Sequence, residues 1–223
     1  MDSFSTDETL AIAREFPQVR VVQRKFDTFA GQCNFGLEQI RTPWVLSLDA
    51  DYVLSPELVD EISRIDDGTE ATGFQASFRY CIQGHPLRAS LYPPRTVLYR
   101  RDKAHYRVDG HSHRVQVGGT VRMLQGKIDH DDRKPIERWF NEQLKYTRVE
   151  ANHLLTTALE DLNFADRLRK KIILAPTLVF FYTLIGKGLI LDGWPGWFYV
   201  FQRTLAEIVL SLRLLERKLK SGE

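Results

Sequence analysis

The stretch Trp44-Val45-Leu46-Ser47-Leu48-Asp49-Ala50-Asp51 decides the fold class, because it joins an apolar run to two acids. The apolar run is typical of a central strand that is buried on both faces of an α/β sheet. Side chains alternate along a strand, so we expect Asp49 and Asp51 to point to the same side. Ligands of open α/β sheets bind outside the carboxyl ends of strands, which makes this end the expected site.

The two acids suit a hard divalent cation, which takes oxygen ligands and is usually shared with substrate phosphates. The alternative is that Asp49 and Asp51 are solvated loop acids between a strand and a helix, since an Asp-x-Asp triplet alone is common. The residues around them decide between the two interpretations.

The composition indicates a globular protein with one substantial domain and room for an appendage. Its 223 residues are 43% hydrophobic and 27% charged. The net charge of +2 comes from 31 basic and 29 acidic residues that are interspersed. A dedicated nucleic-acid binder would show a basic stripe, so we expect no nucleic-acid partner. Cys33 and Cys81 lack metal-ligand spacing and fit small buried residues of a reducing compartment.

Helices and strands are predicted to alternate along the first half of the chain. Ser5-Thr6-Asp7-Glu8 predicts a capping box, with Ser5 as N-cap of a helix that ends before Pro17. The other predicted elements are a strand at 19–22, a helix at 32–40, a helix from the Ser55 N-cap to about 65, and strands at 73–82 and 95–100. This order favours an α/β sheet with a mixed second half.

Three segments together resemble the nucleotide-sugar half of family 2 glycosyltransferases. They are Asp2-Ser3-Phe4-Ser5-Thr6-Asp7-Glu8-Thr9, residues 26–34, and Leu48-Asp49-Ala50-Asp51. Within the family, the chain is similar to the lipopolysaccharide-core and polysaccharide glycosyltransferases. Their motif is Asp-Ser-x-Ser-Thr-Asp-x-Thr, followed by an Asp-x-Asp, and it matches here nearly residue by residue. Tyr92-Pro93-Pro94-Arg95 and residues 110–115 and 130–134 are similar to one branch of that group, so the resemblance spans residues 2 to 150 and rests on several motifs in order.

The resemblance implies a GT-A-like mixed sheet flanked by helices, an inverting mechanism, and a nucleotide-sugar donor with Mg²⁺ or Mn²⁺. UDP-sugars are the favoured donors. Asp2 would face the nucleobase of the donor, and Asp49 and Asp51 would be the sugar-nucleotide and metal carboxylates. A cation bridging the oxygens of the leaving nucleoside diphosphate neutralises its developing charge.

Further donor-binding and metal-binding residues are predicted around these motifs. Arg24, Lys25 and Gln32 could approach the phosphate or ribose of the donor. The alternative for Arg24 and Lys25 is a solvated charged pair. His130, which has three acids beside it, could reach the metal or the diphosphate; the alternative is a polar, solvated turn.

The general base is predicted in the segment Val108-Asp109-Gly110-His111. Inversion needs a group that deprotonates the acceptor hydroxyl, and Asp or Glu usually does this. Asp109 is the first candidate and His111 the accompanying one. A plain turn aspartate before glycine is the alternative for Asp109. Related enzymes often carry His-Glu near here, whereas this chain has His111-Ser112-His113, so the identity of the base stays open.

The start of the chain leads to a separate expectation. The family's fold begins with a strand, a helix and a second strand ahead of the Asp2 motif. We therefore expect an N-terminally truncated GT-A-like domain that is poorly stable or inactive alone, because a sheet without those strands would expose an apolar edge.

The last third of the chain is predicted to be helical. An amphipathic helix is expected from 135 to about 168, then an apolar run at 172–185, an aromatic turn at 192–199 and a last helix at 201–219. The apolar run is shorter than the about 20 residues that a bilayer span needs. Flanking basic and aromatic residues favour an interfacial membrane hairpin; the alternative is a helical hairpin buried against the sheet. We thus expect a catalytic domain at 1–134 and a helical region at 135–223.

These patterns predict a peripheral protein on the cytoplasmic face of the inner membrane. It would be an inverting glycosyltransferase that moves a sugar to a glycan or lipid-linked acceptor in envelope polysaccharide or lipopolysaccharide synthesis. One alternative is an inactive remnant that only binds a membrane or a partner. Another is an unrelated metal-dependent enzyme that handles phosphate esters with Asp49 and Asp51.

Overall fold

The computed structural model describes residues 1–109 and 112–222, which form a curled mixed sheet flanked by helices and a C-terminal helical hairpin. This arrangement confirms the predicted α/β, GT-A-like class. The strands are β1 (Trp44–Leu46), β2 (Tyr52–Leu54), β3 (Gly73–Ile82), β4 (His85–Pro86), β5 (Arg95–Arg100), β6 (Ala104–Asp109), β7 (Ser112–Val117) and β8 (Val121–Asp132). The α-helices are α1 (Thr9–Arg14), α2 (Phe29–Glu38), α3 (Pro56–Ser63), α4 (Ile136–Thr156), α5 (Phe164–Arg169), α6 (Leu174–Phe181) and α7 (Gly193–Ser221).

The main sheet has the strand order β1-β5-β3-β8-β2, with β4 added to β3. Strands β3 and β8 run parallel, and the other neighbours in this sheet are antiparallel. Strands β6 and β7 form a separate antiparallel pair. The strands predicted at 73–82 and 95–100 are confirmed as β3 and β5, and they lie in the middle of the sheet.

The strand predicted at Trp44–Asp51 differs from expectation. It is only three residues long, and among the described strands it lies at the end of the sheet, where it pairs with β5 alone. Val45 is buried, but Leu46 is 38% and Leu48 37% exposed. The prediction of a central strand buried on both faces was wrong, because an apolar run does not reveal how many neighbours a strand has.

Helix α3 forms as its sequence predicts. The Ser55 hydroxyl accepts a hydrogen bond from the Leu58 amide at 3.2 Å, Pro56 is the first helical residue, and Glu57 places an acid in the first turn. The helix packs on β8, where Leu58 is fully buried. Gly126 of β8 allows this approach, since a Cβ there would lie 2.5 Å from the Leu58 Cα.

Two N-terminal predictions were wrong. The capping box does not form: α1 begins at Thr9 without a side-chain cap, and the Ser5 hydroxyl donates to Asp2 instead. The predicted strand at 19–22 is reduced to one parallel bridge between Asp2 and Gln23. Helix α2 begins at Phe29, three residues before the predicted start, because the Thr28 hydroxyl accepts from the Gly31 amide at 3.0 Å.

The C-terminal region is helical, but its breaks differ from those predicted. The amphipathic helix ends at Thr156, and α5 follows as a separate element. Residues 192–199 are not an aromatic turn, since α7 begins at Gly193 and runs for 29 residues. Strand β8 ends at Asp132 and α4 begins at Ile136; the division into two domains at residue 134 stays a prediction.

Helix α7 packs on α4 and α6 and closes the helical region. In the part of the chain that the structure describes, no single helix has the length and apolar composition to cross a membrane. The segments Leu174–Gly186 and Leu189–Ser221 reach that length and apolar composition only as a pair, and they are bent by 65° at a short break.

Candidate active site

The loop between β1 and β2 carries both acids of the Asp-x-Asp triplet. Its two flanking strands pair with different neighbours, β5 and β8, so the loop crosses the end of the sheet. Asp49 and Asp51 are about half exposed, with side-chain exposures of 50% and 47%. The prediction that strand alternation orients them was therefore wrong. They are oriented by a turn in which the Tyr52 amide donates to the Asp49 carbonyl at 3.1 Å.

His130 lies beside Asp51. Its Nε2 is 3.3 Å from an Asp51 carboxylate oxygen, and the residue is only 7% exposed. The approach lacks hydrogen-bond geometry, and neither ring nitrogen has a hydrogen-bond partner among the described residues. Burial lowers the pKa of His130, while the Asp51 and Asp132 carboxylates act in the opposite direction. A buried, neutral imidazole with an unused nitrogen is a competent metal ligand.

Aromatic rings enclose the His130 imidazole. The rings of Tyr80 and Tyr92 lie 5.0 Å from it and that of Tyr52 lies 5.2 Å away, all edge-on. The Tyr52 and Tyr92 hydroxyls bond each other at 2.7 Å. This packing holds the imidazole next to Asp51 and excludes the alternative of a solvated turn.

Arg95 is a site residue to which sequence reasoning assigned no role. Its guanidinium lies 3.9 Å from Asp49 and stacks over the Tyr92 ring at 5.1 Å. The signal was present, because Tyr92-Pro93-Pro94-Arg95 is one of the family-like segments. Arg95 places a cation at the same end of the sheet as the two acids.

A second group of predicted residues surrounds the N-terminal loop. The Asp2 carboxylate is buried and accepts hydrogen bonds from the backbone amides of Phe4 at 3.0 Å and Ser5 at 3.2 Å. It also accepts from the Ser5 hydroxyl and from the side-chain amide of Gln23 at 2.9 Å. The Ser5 and Gln23 side chains lower its pKa to about 2. As placed, Asp2 organises its own loop, and its contact with a nucleobase stays a prediction.

Gln32 and Arg24 adjoin this loop. The Gln32 amide nitrogen donates to the Ser3 hydroxyl at 2.8 Å and to the Arg24 carbonyl at 3.1 Å, while its buried oxygen has no partner among the described residues. Arg24 pairs with Asp27 at 2.8 Å and lies over the Phe35 ring at 5.3 Å. Arg24 is thus held by its neighbours rather than simply solvated beside Lys25.

The predicted general bases lie in the sequence between the body of β6 and the start of β7. His111 lies outside the described residues, as does the side chain of Asp109, whose backbone pairs with Ser112. The hairpin is tied to the rest of the molecule through Tyr106. The Tyr106 hydroxyl donates to the Ser47 hydroxyl at 2.9 Å, and the Tyr106 amide donates to Asn34 at 2.9 Å. The hairpin is therefore anchored to the residue from which the Asp49–Asp51 loop departs.

A cavity of about 640 Å³ joins the end of the sheet to the helical region. Asp49, Asp51 and His130 line it, whereas Asp2, Arg24 and Gln32 do not. The helical wall comes from α4 and α7, with Arg169 of α5. The lining residues on that wall include Trp139, Gln143, Tyr146, Tyr199, Gln202, Arg203 and Glu207. Sequence reasoning did not identify this wall, because the spacing within each helix does not show which face meets the sheet.

The predicted Mg²⁺ or Mn²⁺ fits these residues in part. Among residues 1–109 and 112–222, no cluster of three or more His, Cys, Asp or Glu side chains is arranged to hold a metal ion. Asp51 and His130 supply two adjacent donors, one of which has no hydrogen-bond partner. Mg²⁺ sites commonly use one or two protein ligands and complete their shell with water and substrate phosphates. The donor set therefore suits a cation that arrives with a phosphorylated substrate.

Comparison with known proteins agrees with the motifs. Residues 1–130 match glycosyl transferase family 2. The chain is 23% identical to the lipopolysaccharide core biosynthesis glycosyltransferase LpsC of Rhizobium meliloti (strain 1021), over 97% of this chain and 82% of that protein. It is 26% identical to the uncharacterized glycosyltransferase RP128 of Rickettsia prowazekii (strain Madrid E), over 74% of this chain and 61% of that protein. It is also 43% identical to the uncharacterized glycosyltransferase RC0292 of Rickettsia conorii, over 29% of this chain and 23% of that protein.

Proposed function

Because the chain belongs to glycosyl transferase family 2, we propose that it transfers a sugar, with inversion, from a nucleotide-sugar donor to a glycan or lipid-linked acceptor. We place the reaction in the synthesis of lipopolysaccharide core or another envelope polysaccharide, which the similarity to LpsC supports. The observation that carries the proposal is the convergence of Asp49, Asp51 and His130 on one cavity.

The end of the sheet is suited to hold the phosphate part of the donor. Asp51 and His130 would hold the cation, Mg²⁺ or Mn²⁺, whose positive charge stabilises the departing nucleoside diphosphate. Arg95 lies on the Asp49 side of the same cavity, where it can compensate the charge of that carboxylate. The aromatic rings around His130 keep the imidazole buried and oriented.

The acceptor hydroxyl needs a base on the opposite side of the transferred sugar. Asp109 stays the first candidate for this role and His111 the second. The Tyr106–Ser47 hydrogen bond supports this assignment, because it ties β6, which ends at Asp109, to the residue from which the Asp49–Asp51 loop departs. Asp2 stays the proposed residue for the nucleobase of the donor, and Arg24 and Gln32 stay the proposed residues for its phosphate or ribose.

We further propose that the C-terminal hairpin rests on the cytoplasmic face of the inner membrane. Large apolar side chains on its surface support this: Ile185 is 64%, Leu191 70% and Trp194 86% exposed. Lys171 and Lys187 add positive charge nearby, as expected of an interface with anionic lipids. A lipid-linked acceptor would then reach the cavity from the membrane surface.

Calorimetric titration of UDP into the purified chain, with and without Mn²⁺ and with GDP as the comparison, tests the donor site. We expect Mn²⁺-dependent binding of UDP and its loss in Asp51→Ala, whereas Asp60→Ala, which removes an exposed acid of α3, should bind like the wild type. Binding that ignores both Mn²⁺ and Asp51→Ala would refute the donor site. Hydrolysis of a phosphate ester without sugar transfer would favour a phosphate-handling enzyme instead.

A further inference from the structure

Helix α7 directs one stripe of side chains into the cavity. Tyr199, Gln202, Arg203, Ala206, Glu207 and Leu210 recur every three or four residues, and all of them line it. The opposite side of the helix carries exposed apolar residues such as Phe201 and Ile208. The cavity-facing stripe is unusually polar for a helix that closes a protein interior.

Most charges on the helical wall are paired. Arg169 bonds Glu207 at 2.9 Å, and Glu150 and Asp166 at 3.1 Å each. Lys134 lies 3.6 Å from Glu142. Each of these acids therefore has a cationic partner, and the charges of Lys134 and Arg169 are likewise compensated.

Arg203 differs from these cations. In the described part of the chain it forms no ion pair or hydrogen bond, and its Nε is buried without a partner. Its guanidinium nevertheless lies close enough to Tyr80 and Tyr199 for its charge to oppose the rise in the pKa of both phenols that burial causes. A half-buried guanidinium with no counter-ion is costly unless a ligand supplies the negative charge.

Gln202 adjoins Arg203 on the same wall. It is only 7% exposed, and it lines the cavity one position before Arg203 on α7. A buried amide that lines a cavity is suited to bind a polar ligand. Amide and guanidinium together present a set of hydrogen-bond donors in which the guanidinium matches the two oxygens of a carboxylate or phosphate.

Tyr80 connects this wall to the end of the sheet. Its ring lies 5.0 Å from His130 and 5.2 Å from Tyr199, and its hydroxyl donates to Asp132 at 2.7 Å. The cavity therefore has acids on the sheet side, suited to a cation, and the unpaired Arg203 guanidinium on the α7 side, suited to an anion. A substrate that extends from one side to the other would pass the Tyr80 ring.

We propose that Gln202 and Arg203 form a subsite for an anionic group, a phosphate or a carboxylate, carried by one of the two sugar substrates. This inference rests on the proposed glycosyltransferase function for the identity of those substrates. The acceptor is one source of the anion, through a charged substituent on its sugar. The diphosphate of the donor is the other source.

The test is calorimetric titration of four probes into the full chain: inorganic phosphate, methyl glucuronide, its neutral match methyl glucoside, and UDP with Mn²⁺. The variants are Arg203→Gln and Gln202→Leu, with Arg203→Lys as the conservative change. Arg148→Gln removes an exposed arginine of α4 and is the matched control.

We expect the wild type to bind the glucuronide more tightly than the glucoside. In Arg203→Gln the ratio of the two affinities should fall by about tenfold, the scale of a bidentate charge-assisted contact. Arg203→Lys should retain part of the preference for the glucuronide.

The source of the anion follows from which probe responds. Weaker glucuronide binding with unchanged UDP binding assigns the subsite to the acceptor, and weaker UDP binding with an unchanged glucuronide assigns it to the diphosphate of the donor. If Arg203→Gln binds every anionic probe as Arg148→Gln does, the subsite does not exist. Mn²⁺-dependent UDP binding that Asp51→Ala abolishes would survive that result, so the proposed function can stand when this inference fails. If phosphate binding depends on Arg203 but the chain never binds UDP, the anion subsite exists and the proposed function is wrong.

Discussion

The Nε2 atom of His130 lies 3.3 Å from a carboxylate oxygen of Asp51, although the two residues are far apart in the chain. The contact forms because β2, which follows Asp51, pairs with the end of β8, where Tyr52 is opposite His130. A carboxylate and a neutral imidazole at this distance can share one divalent cation.

Replacement of His130 by glutamine should weaken the binding of Mn²⁺ in the presence of UDP by at least about tenfold, because losing a ligand should cost no less than losing an outer-shell partner of a metal centre. Titration of Mn²⁺ into the chain with UDP present, followed by calorimetry, measures the effect. His85→Gln is the control, because His85 is exposed on β4. Equal Mn²⁺ affinity in the two variants would exclude His130 from the metal site.

Asp2 should make stability depend on pH in the acid range. The pKa of Asp2 is about 2 in the folded chain against an ordinary 3.8, so between these values the unfolded chain binds more protons. The stabilisation is therefore complete above pH 3.8 and is lost as the pH falls towards 2. Urea unfolding of the wild type and Asp2→Asn should show a difference at pH 5 that shrinks at lower pH. Asp60→Asn, on the exposed face of α3, controls for the general effect of removing a carboxylate. A difference between the wild type and Asp2→Asn that does not change with pH would contradict this prediction.

Gly126→Ala should destabilise the fold by about 1–3 kcal/mol, because the added methyl group forces α3 away from β8. The new Cβ would lie 2.5 Å from the Leu58 Cα, which is backbone and cannot rotate away. Gly68→Ala is the control, since the nearest atom there is the flexible Asp66 carboxylate at 3.4 Å. The midpoints of urea unfolding compare the two. A loss in Gly126→Ala no larger than in Gly68→Ala would mean that the helix adjusts freely.

The membrane proposal predicts flotation of the protein with vesicles that contain anionic lipid. Ile185→Ser combined with Trp194→Ser should reduce the bound fraction roughly tenfold, because two large apolar side chains no longer leave water. Val53→Ser removes an apolar side chain of β2 that is 64% exposed, and it should change nothing. Salt should weaken binding through Lys171 and Lys187. A wild-type chain that stays at the bottom of the gradient would refute the proposal.

Local elements were predictable where neighbouring residues decide the structure. Helix α3 follows from the Ser55 hydroxyl, the ring of Pro56 and the charge of Glu57, all within one turn. Strands β3 and β5 follow from their residue pattern and the turns that bound them. The capping box was predicted wrongly, because the Ser5 hydroxyl donates to Asp2 instead of capping α1. Asp2 is held in that position by a side-chain hydrogen bond from Gln23 and by the backbone bridge between Asp2 and Gln23, which is distant in the chain.

The amino-acid sequence alone determined the family motifs, the α/β class and the residue types at the site, since these depend on chemistry that each segment carries itself. The tertiary structure alone decided that the strand before Asp49 lies at the edge of the described sheet, that His130 adjoins Asp51, and that Arg203 faces the cavity without a counter-ion. The physical reason is that strand neighbours, burial and ion pairing come from groups distant in the chain. No local pattern specifies which of those groups will meet.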